Sequence, residues 1–448
     1  MRSELINNNK TKDVLVVGLA LFAIFFGAGN LIFPPYLGFH AGDQWFSVML
    51  GFLLADPVIP VITLVVTIFA GGKAVDLGRR VNYPFAVVLA AAAMISVGPA
   101  FAIPRTAATT HEVGVLQFFP GTPIWVTSLI FFGITLALSI KETGVIDIIG
   151  KYITPVLLVF LGLIIVKAII TPIGPILPAE GTGYFTEGVK EGYQTMDAMV
   201  SLLCTAIVTG DLLRKGYGSA SPKEKKSIIV QVSAISMILL FLVYGGLTFV
   251  GAQAGSLFPK DATRVQLLVG SVELLFGSWG KLALGVAVSL ACLTTSVGLT
   301  SAAGNFFNSV SNNKWKYEYV VIASVIVSFT FSLVGVEGII SLAGPVLDIV
   351  YPAIIAMSFI MIFDKKLHYD ASIIGMAVGT ILAAGITTIY NASGALEGLA
   401  NFVNSMPLAE FGFAWLLPGL VGTLIGTLLG KYAGIGKTRD QHDIRSAF

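Results

Sequence analysis

Residues 25–35 read FFGAGNLIFPP, inside an uncharged run from Val14 to Phe39. A continuous helix over that run would reach about 39 Å at ~1.5 Å per residue, beyond a hydrocarbon core of ~30 Å. A break absorbs the excess. Gly27 and Gly29 flank Ala28, Asn30 supplies an amide, and Pro34 and Pro35 donate no backbone hydrogen bond. Unwound backbone at membrane depth is tolerated only where it faces protein or a water-filled cavity. A half-helix starting near Asn30 would aim free N–H groups and a positive dipole end into that cavity, toward an occupant that is small and anionic at one end. A kink made by Gly and Pro for packing alone is the competing reading.

Working outward, the 448 residues are 55% hydrophobic and 12% charged, which excludes a soluble protein. The first apolar run reads as a span and not as a cleavable signal, being too long and lacking a small-residue cleavage site. Cys204 and Cys292 both lie in apolar segments and imply packing, not a disulfide framework. Twelve spans are expected, near 14–39, 45–70, 83–110, 123–140, 152–170, 188–213, 227–251, 277–307, 317–336, 338–363, 371–390 and 411–430. With the N-terminus in the cytoplasm, every Lys and Arg except Arg105, Lys167, Lys190, Lys260, Arg264 and Lys281 falls on the inner side. The positive-inside rule therefore fixes the expected orientation, with both termini cytoplasmic. Trp45, Trp125, Trp279 and Trp415 each start an even-numbered span, where an indole would anchor at the outer interface. The Gly- and Pro-rich loop from Thr171 to Phe185 is the best divider between two halves of opposite orientation.

Charged residues inside spans are functional candidates by default. Asp197, in YQTMDAMV, lies about nine residues into the sixth span, near ~13 Å deep. It would face a substrate ammonium, pair with a cation or carry a proton; alternatively it bonds to backbone freed by a helix break. Asp348 follows Gly344-Pro345, a second expected break, with function and structure equally open. Arg105 either gates access by pairing with an acid or snorkels to the outer interface. Asp56, before Pro57, reads as structural, and Lys167 and Lys281 sit close enough to span ends to snorkel. Thr294, Thr295 and Ser296 place consecutive hydroxyls in an apolar helix. They suit a small cation, or bond back to the preceding turn. His40, His111, His368 and His442 are all expected at span ends or in loops, so no buried histidine relay is expected. No HExxH, P-loop or GxSxG pattern supports an enzyme, and no filter loop supports a channel.

FFGAGNLIFPP, GPAFAIPRTA (98–107), YQTMDA (193–198) and ACLTT (291–295), in that order, resemble the bacterial branched-chain amino acid carrier family (BrnQ, also LIVCS). The resemblance implies an all-α membrane protein of the leucine-transporter-like fold. Two inverted five-helix repeats (1–180 and 181–366) would be followed by two C-terminal helices and a tail (367–448). It implies a substrate site at Gly27, Ala28, Gly29, Asn30, Thr195, Asp197 and Ala198. Backbone amides of Ala28, Gly29 and Asn30 would hold a carboxylate, and Thr195 to Ala198 would receive the ammonium and side chain. It also implies a sodium site formed by carbonyls near Ala23 and Phe26 with Ala291, Thr294 and Thr295. One departure is plain: no Gly or Pro lies between Tyr193 and Val208, so composition shows no break in the sixth span.

The expectation is a cation-coupled symporter importing leucine, isoleucine or valine across a bacterial plasma membrane by alternating access, driven by sodium. The rivals are a proton-driven carrier using Asp197 and, more remotely, an ion channel. No cofactor beyond the coupling ion, no nucleic acid and no obligate protein partner are expected.

Overall fold

The computed structural model describes residues 2–140 and 145–435, with side chains described over 10–140 and 155–435. His442 and the rest of residues 436–448 of the expected cytoplasmic tail lie outside the described residues. An apolar chain in lipid must satisfy its backbone internally, and it does so as helix. Among the described residues, seven helical stretches are long and apolar enough to cross a membrane. They include Tyr83–Phe118, Pro222–Ala252, Gly335–Ile362 and Asp370–Ser393. The pair Tyr184–Tyr193 and Asp197–Arg214, bent by 43°, makes an eighth. Ile124–Ser139, Pro155–Ile170 and Tyr317–Ser332 are shorter apolar helices.

The expected break in the first run is present. One helix covers Arg2–Phe25 and the next Ala28–Ala41, so the second half begins two residues before Asn30. The break expected at Gly344-Pro345 is absent: helix Gly335–Ile362 runs through Pro345 and Pro352. A proline forfeits only one backbone bond, which the surrounding helix can bridge. The expected start of the eighth span, at residue 277, coincides with a kink at Gly277 (φ 67°), and a further helical segment beginning at Arg264, behind a Thr263 cap, leads into it. Trp415 does not face an interface; it is buried, whereas Trp125 and Trp279 are exposed.

Helices Ala28–Ala41 and Pro222–Ala252 interlock through glycine. A Cβ at Gly38 would lie 1.8 Å from the Thr248 carbonyl oxygen, and one at Gly251 would lie 1.9 Å from that of Pro35. In lipid, where apolar burial drives little, such close backbone approach supplies the packing energy. The two faces are tied by charge. Beside the N-terminus, Asp13 accepts from Lys215 (2.9 Å) and the Tyr217 hydroxyl (3.0 Å). On the opposite face Arg264 bridges Glu191 (2.7 Å) and Glu337, with its guanidinium 4.0 Å from the Tyr36 ring centroid.

Candidate functional site

At the first break the backbone changes partners. Phe26 N–H still donates to the Phe22 carbonyl (2.8 Å), but Gly27 N–H turns to Phe25 (2.9 Å). The Ala23 carbonyl thereby loses its regular helical donor. Gly27 is extended (φ −98°, ψ −174°), and helix resumes at Ala28. The N–H groups of Ala28, Gly29 and Asn30 then stand in a first helical turn with no intrahelical acceptor, at a positive dipole end.

The sixth run breaks too, despite its composition. Tyr184–Tyr193 ends, Gln194 to Met196 turn, and Asp197 opens the next helix. Met196 carries the turn with a left-handed φ of 68°, which costs an L-residue about 1–2 kcal/mol. Side chains hold it there. Thr195 Oγ1 donates to the Gly192 carbonyl (2.7 Å) and accepts from Asp197 N–H (3.4 Å). Ala198 N–H donates to the Tyr351 hydroxyl (3.3 Å), which donates to the Ala55 carbonyl (3.2 Å). Arg105 Nη1 donates to the Gln194 carbonyl at 2.7 Å, and Nη2 lies 3.5 Å from that of Thr195.

The two breaks meet at Asn30. Its Nδ2 lies 2.8 Å from Asp197 Oδ2, 2.9 Å from Asp56 Oδ2 and 2.6 Å from the Tyr244 hydroxyl. An amide nitrogen has two hydrogens, so three oxygens share two donors. All four residues are buried, and Asp56 Oδ1 has no hydrogen-bond donor among the described residues.

A cavity of about 540 Å³ lies between the breaks, lined by Gly27, Ala28, Asn30, Arg105, Thr195 and Asp197 among others. Its apolar wall includes Ile24, Phe25, Val200, Leu299 and Ala302. It reaches back along the first helix to Val16 and along the Asp197 helix to Asp211, toward the face that holds the N-terminus. Ala23, Thr294 and Thr295 line the same cavity. Thr294 Oγ1 donates to the Ala291 carbonyl (2.8 Å), the back-bonding that the sequence left open. Phe26 and Ala198 are buried beside the breaks, and Ala291 is half-buried.

Sequence reasoning missed three residues. Asp56, read as structural, shares the Asn30 amide with Asp197; its separation from both in the chain left no signal beyond its burial in an apolar run. Arg105 does not snorkel, and it pairs with no acid among the described residues. It is 3% exposed, lines the cavity and covers Gly29, where an added Cβ would lie 2.7 Å from Nη2. His111 is buried, not terminal, with Nδ1 2.8 Å from Thr127 Oγ1. In contrast, Asp348 is exposed, outside the cavity. Lys281 pairs with Glu273 (2.8 Å), and Lys167 lies 4.4 Å from the Phe276 ring centroid.

Solved structures share this architecture. Mhp1 in an inward-facing conformation aligns with a TM-score of 0.58 at 13% identity, covering 94% of this chain and 91% of that one. A Na+-coupled sialic acid symporter, in a substrate-bound outward-open state, aligns at 0.59 and 12% identity, covering 95% and 91%. At such identity the likeness shows the fold alone. Sequence relatives are nearer. The branched-chain amino acid permease BraB of Bacillus subtilis (strain 168) is 33% identical over 95% of this chain and 97% of its own. The branched-chain amino acid transport system 3 carrier protein of Pseudomonas aeruginosa is 32% identical over 96% and 99%. These relatives are transport proteins, not enzymes. A family profile described as "Branched-chain amino acid transport protein" matches residues 10–433. The chain, a multi-pass membrane protein, belongs to that branched-chain amino acid transport family.

Proposed function

We propose that the protein imports leucine, isoleucine or valine by alternating access, coupled to sodium. One observation carries the reading: a single cavity presents a helix N-terminus at Ala28, the Asp197 carboxylate and an apolar wall. That combination suits a zwitterion with an aliphatic side chain, and the volume falls within the ~300–1,000 Å³ usual for small-molecule sites. The first-turn amides of Ala28, Gly29 and Asn30 receive the carboxylate, and the segment Thr195–Ala198 receives the ammonium. Sodium sits between the first and eighth spans, held by carbonyls of Ala23 and Phe26 and by the Ala291–Thr294–Thr295 segment. That Ala23, Thr294 and Thr295 line one cavity supports this set. Twelve spans, with inverted repeats over 1–180 and 181–366 and an added pair over 367–448, complete the architecture. Basic loops put both termini in the cytoplasm, so a cavity reaching toward the N-terminal face is inward-facing.

Sodium binding between the two spans favours the arrangement that completes the substrate site. By linkage, sodium then tightens leucine binding and leucine tightens sodium binding by the same factor. The test measures leucine affinity at fixed pH with sodium replaced by choline, in the wild type and in Thr294→Ala, Thr295→Ala. Wild-type affinity should fall without sodium, and the double variant should not respond to it.

A second reading has its own support. Asp56 and Asp197 share one amide with no Lys or Arg within 4.0 Å among the described residues. A single proton bound there removes one of two buried charges. Leucine affinity that ignores sodium but follows pH would favour this proton-coupled alternative.

A further inference from the structure

Two arginines, Arg105 and Arg264, are buried among the described residues and Arg80 is half-buried, and the partners of the three differ. Arg80 meets Asp364 (2.6 Å) and Asp370 (2.8 Å). Arg264 meets Glu191 and Glu337. Arg105 has no carboxylate within 4.0 Å among the described residues, although it is more buried than its side chain's usual surface role allows. Its partners are two carbonyl oxygens at the second helix break and the Phe33 ring, 5.5 Å away. A guanidinium carries five N–H donors. Those two carbonyls engage one donor on each Nη, and the buried Nε has no partner among the described residues.

A buried charge without a counter-charge is costly, and an anion bound beside it removes that cost. The surroundings specify which anion. Arg105 lines the cavity with Ala28, whose N–H opens a helix. The guanidinium packs directly on Gly29, where an added Cβ would lie 2.9 Å from Cζ. Donors from a side chain and from a helix N-terminus therefore converge on one corner. Asp197 lines the same cavity, yet forms no ion pair with Arg105 because Asn30 holds its carboxylate instead. A guanidinium and a carboxylate that form no ion pair thus line one cavity, the complement of a zwitterion.

We propose that Arg105 binds the substrate's carboxylate together with the first-turn amides of the Ala28 helix, and so restricts transport to molecules that carry one. The assignment rests on the amino-acid reading above. Arg105 also braces the second break through Gln194 and Thr195, so carboxylate binding pulls on both broken helices at once. A planar guanidinium takes a carboxylate in paired hydrogen bonds, which a lysine cannot reproduce.

The test compares leucine with leucinol, which replaces the carboxylate by a neutral alcohol, as ligands for purified full-length protein in liposomes. Wild type should prefer leucine by about 100-fold, since a site built for a charged partner rejects the analogue lacking it. In Arg105→Gln, leucine affinity should fall by a similar factor while leucinol affinity stays within about threefold. Arg105→Lys keeps the charge and should recover part of the preference, about tenfold, and it serves alone where the glutamine variant does not fold. Leucine and leucinol weakening in parallel in either variant would overturn the assignment and leave Arg105 a brace for the helix break. A wild type that binds leucine and leucinol equally would overturn it as well. A wild type that binds neither overturns the substrate reading first, and the assignment with it.

Discussion

The protein interrupts two helices beside one cavity, at Phe26–Gly27 and at Gln194–Met196, and holds the interruptions open by opposite means. At the first, backbone chemistry suffices: Gly27 is extended without strain, and no side chain caps the helix that follows. At the second, a methionine sits at φ 68° and the turn is held by Thr195, Tyr351 and Arg105 from three parts of the chain. A locally encoded break is cheap and insensitive to its neighbours. An imposed one depends on every contact that holds it. The difference suggests that the first break is a fixed feature and the second the more responsive partner when ligand or ion binds.

The largest expected effect tests whether the first break's free amides are the working surface. Gly29→Val should abolish leucine uptake with membrane expression intact, because a Cβ would collide with the guanidinium now packed there. Uptake of labelled leucine, normalised to protein in the membrane, is the measurement; near-normal transport would refute the carboxylate corner. Asp197→Asn should cut uptake at least about tenfold, near 1.4 kcal/mol. Unchanged affinity and ion dependence in that variant would make the aspartate a structural partner of Asn30.

Smaller effects sharpen the contrast itself. Tyr351→Phe deletes the hydroxyl between Ala198 and Ala55 and should lower stability by about 1 kcal/mol. Thermal unfolding in detergent reads this, and no change would show that the second break needs less bracing than its geometry suggests. Gly27→Ala should be nearly silent, with uptake within about twofold of wild type, because its backbone suits any L-residue. The nearest atom to the new Cβ would be Asn30 Oδ1 at 3.7 Å. A large loss there would mean that the first break requires glycine's freedom after all.

How much of this was legible beforehand follows the same division. FFGAGNLIFPP announced its break through its glycines, which free the backbone where they stand, whereas Pro34 and Pro35 lie inside the helix that follows. YQTMDA announced nothing, since Met196 has no intrinsic preference for a left-handed turn. Gly344-Pro345 gave a false signal, because a proline inside a well-supported helix need not break it. Asp197 was singled out as a charge in an apolar run, and it lines the cavity. Asp56 had the same signature and was assigned to structure, because the neighbouring proline offered a local explanation that hid a distant one.

By itself the sequence determined the membrane class, the helical content, the first break and, through four short motifs, the family. Each of these depends on local composition or on short contiguous patterns. Only the tertiary structure decided what the buried polar groups face. Asn30 meets Asp197 across 167 positions of sequence, and Arg105 meets Gln194 across 89. Arg105 shows the limit most clearly: a guanidinium near a span end can snorkel, pair or line a site, and which it does is set by where other helices leave carbonyls and acids. Burying that charge is favourable only with suitable partners, and those partners exist only once the helices have packed.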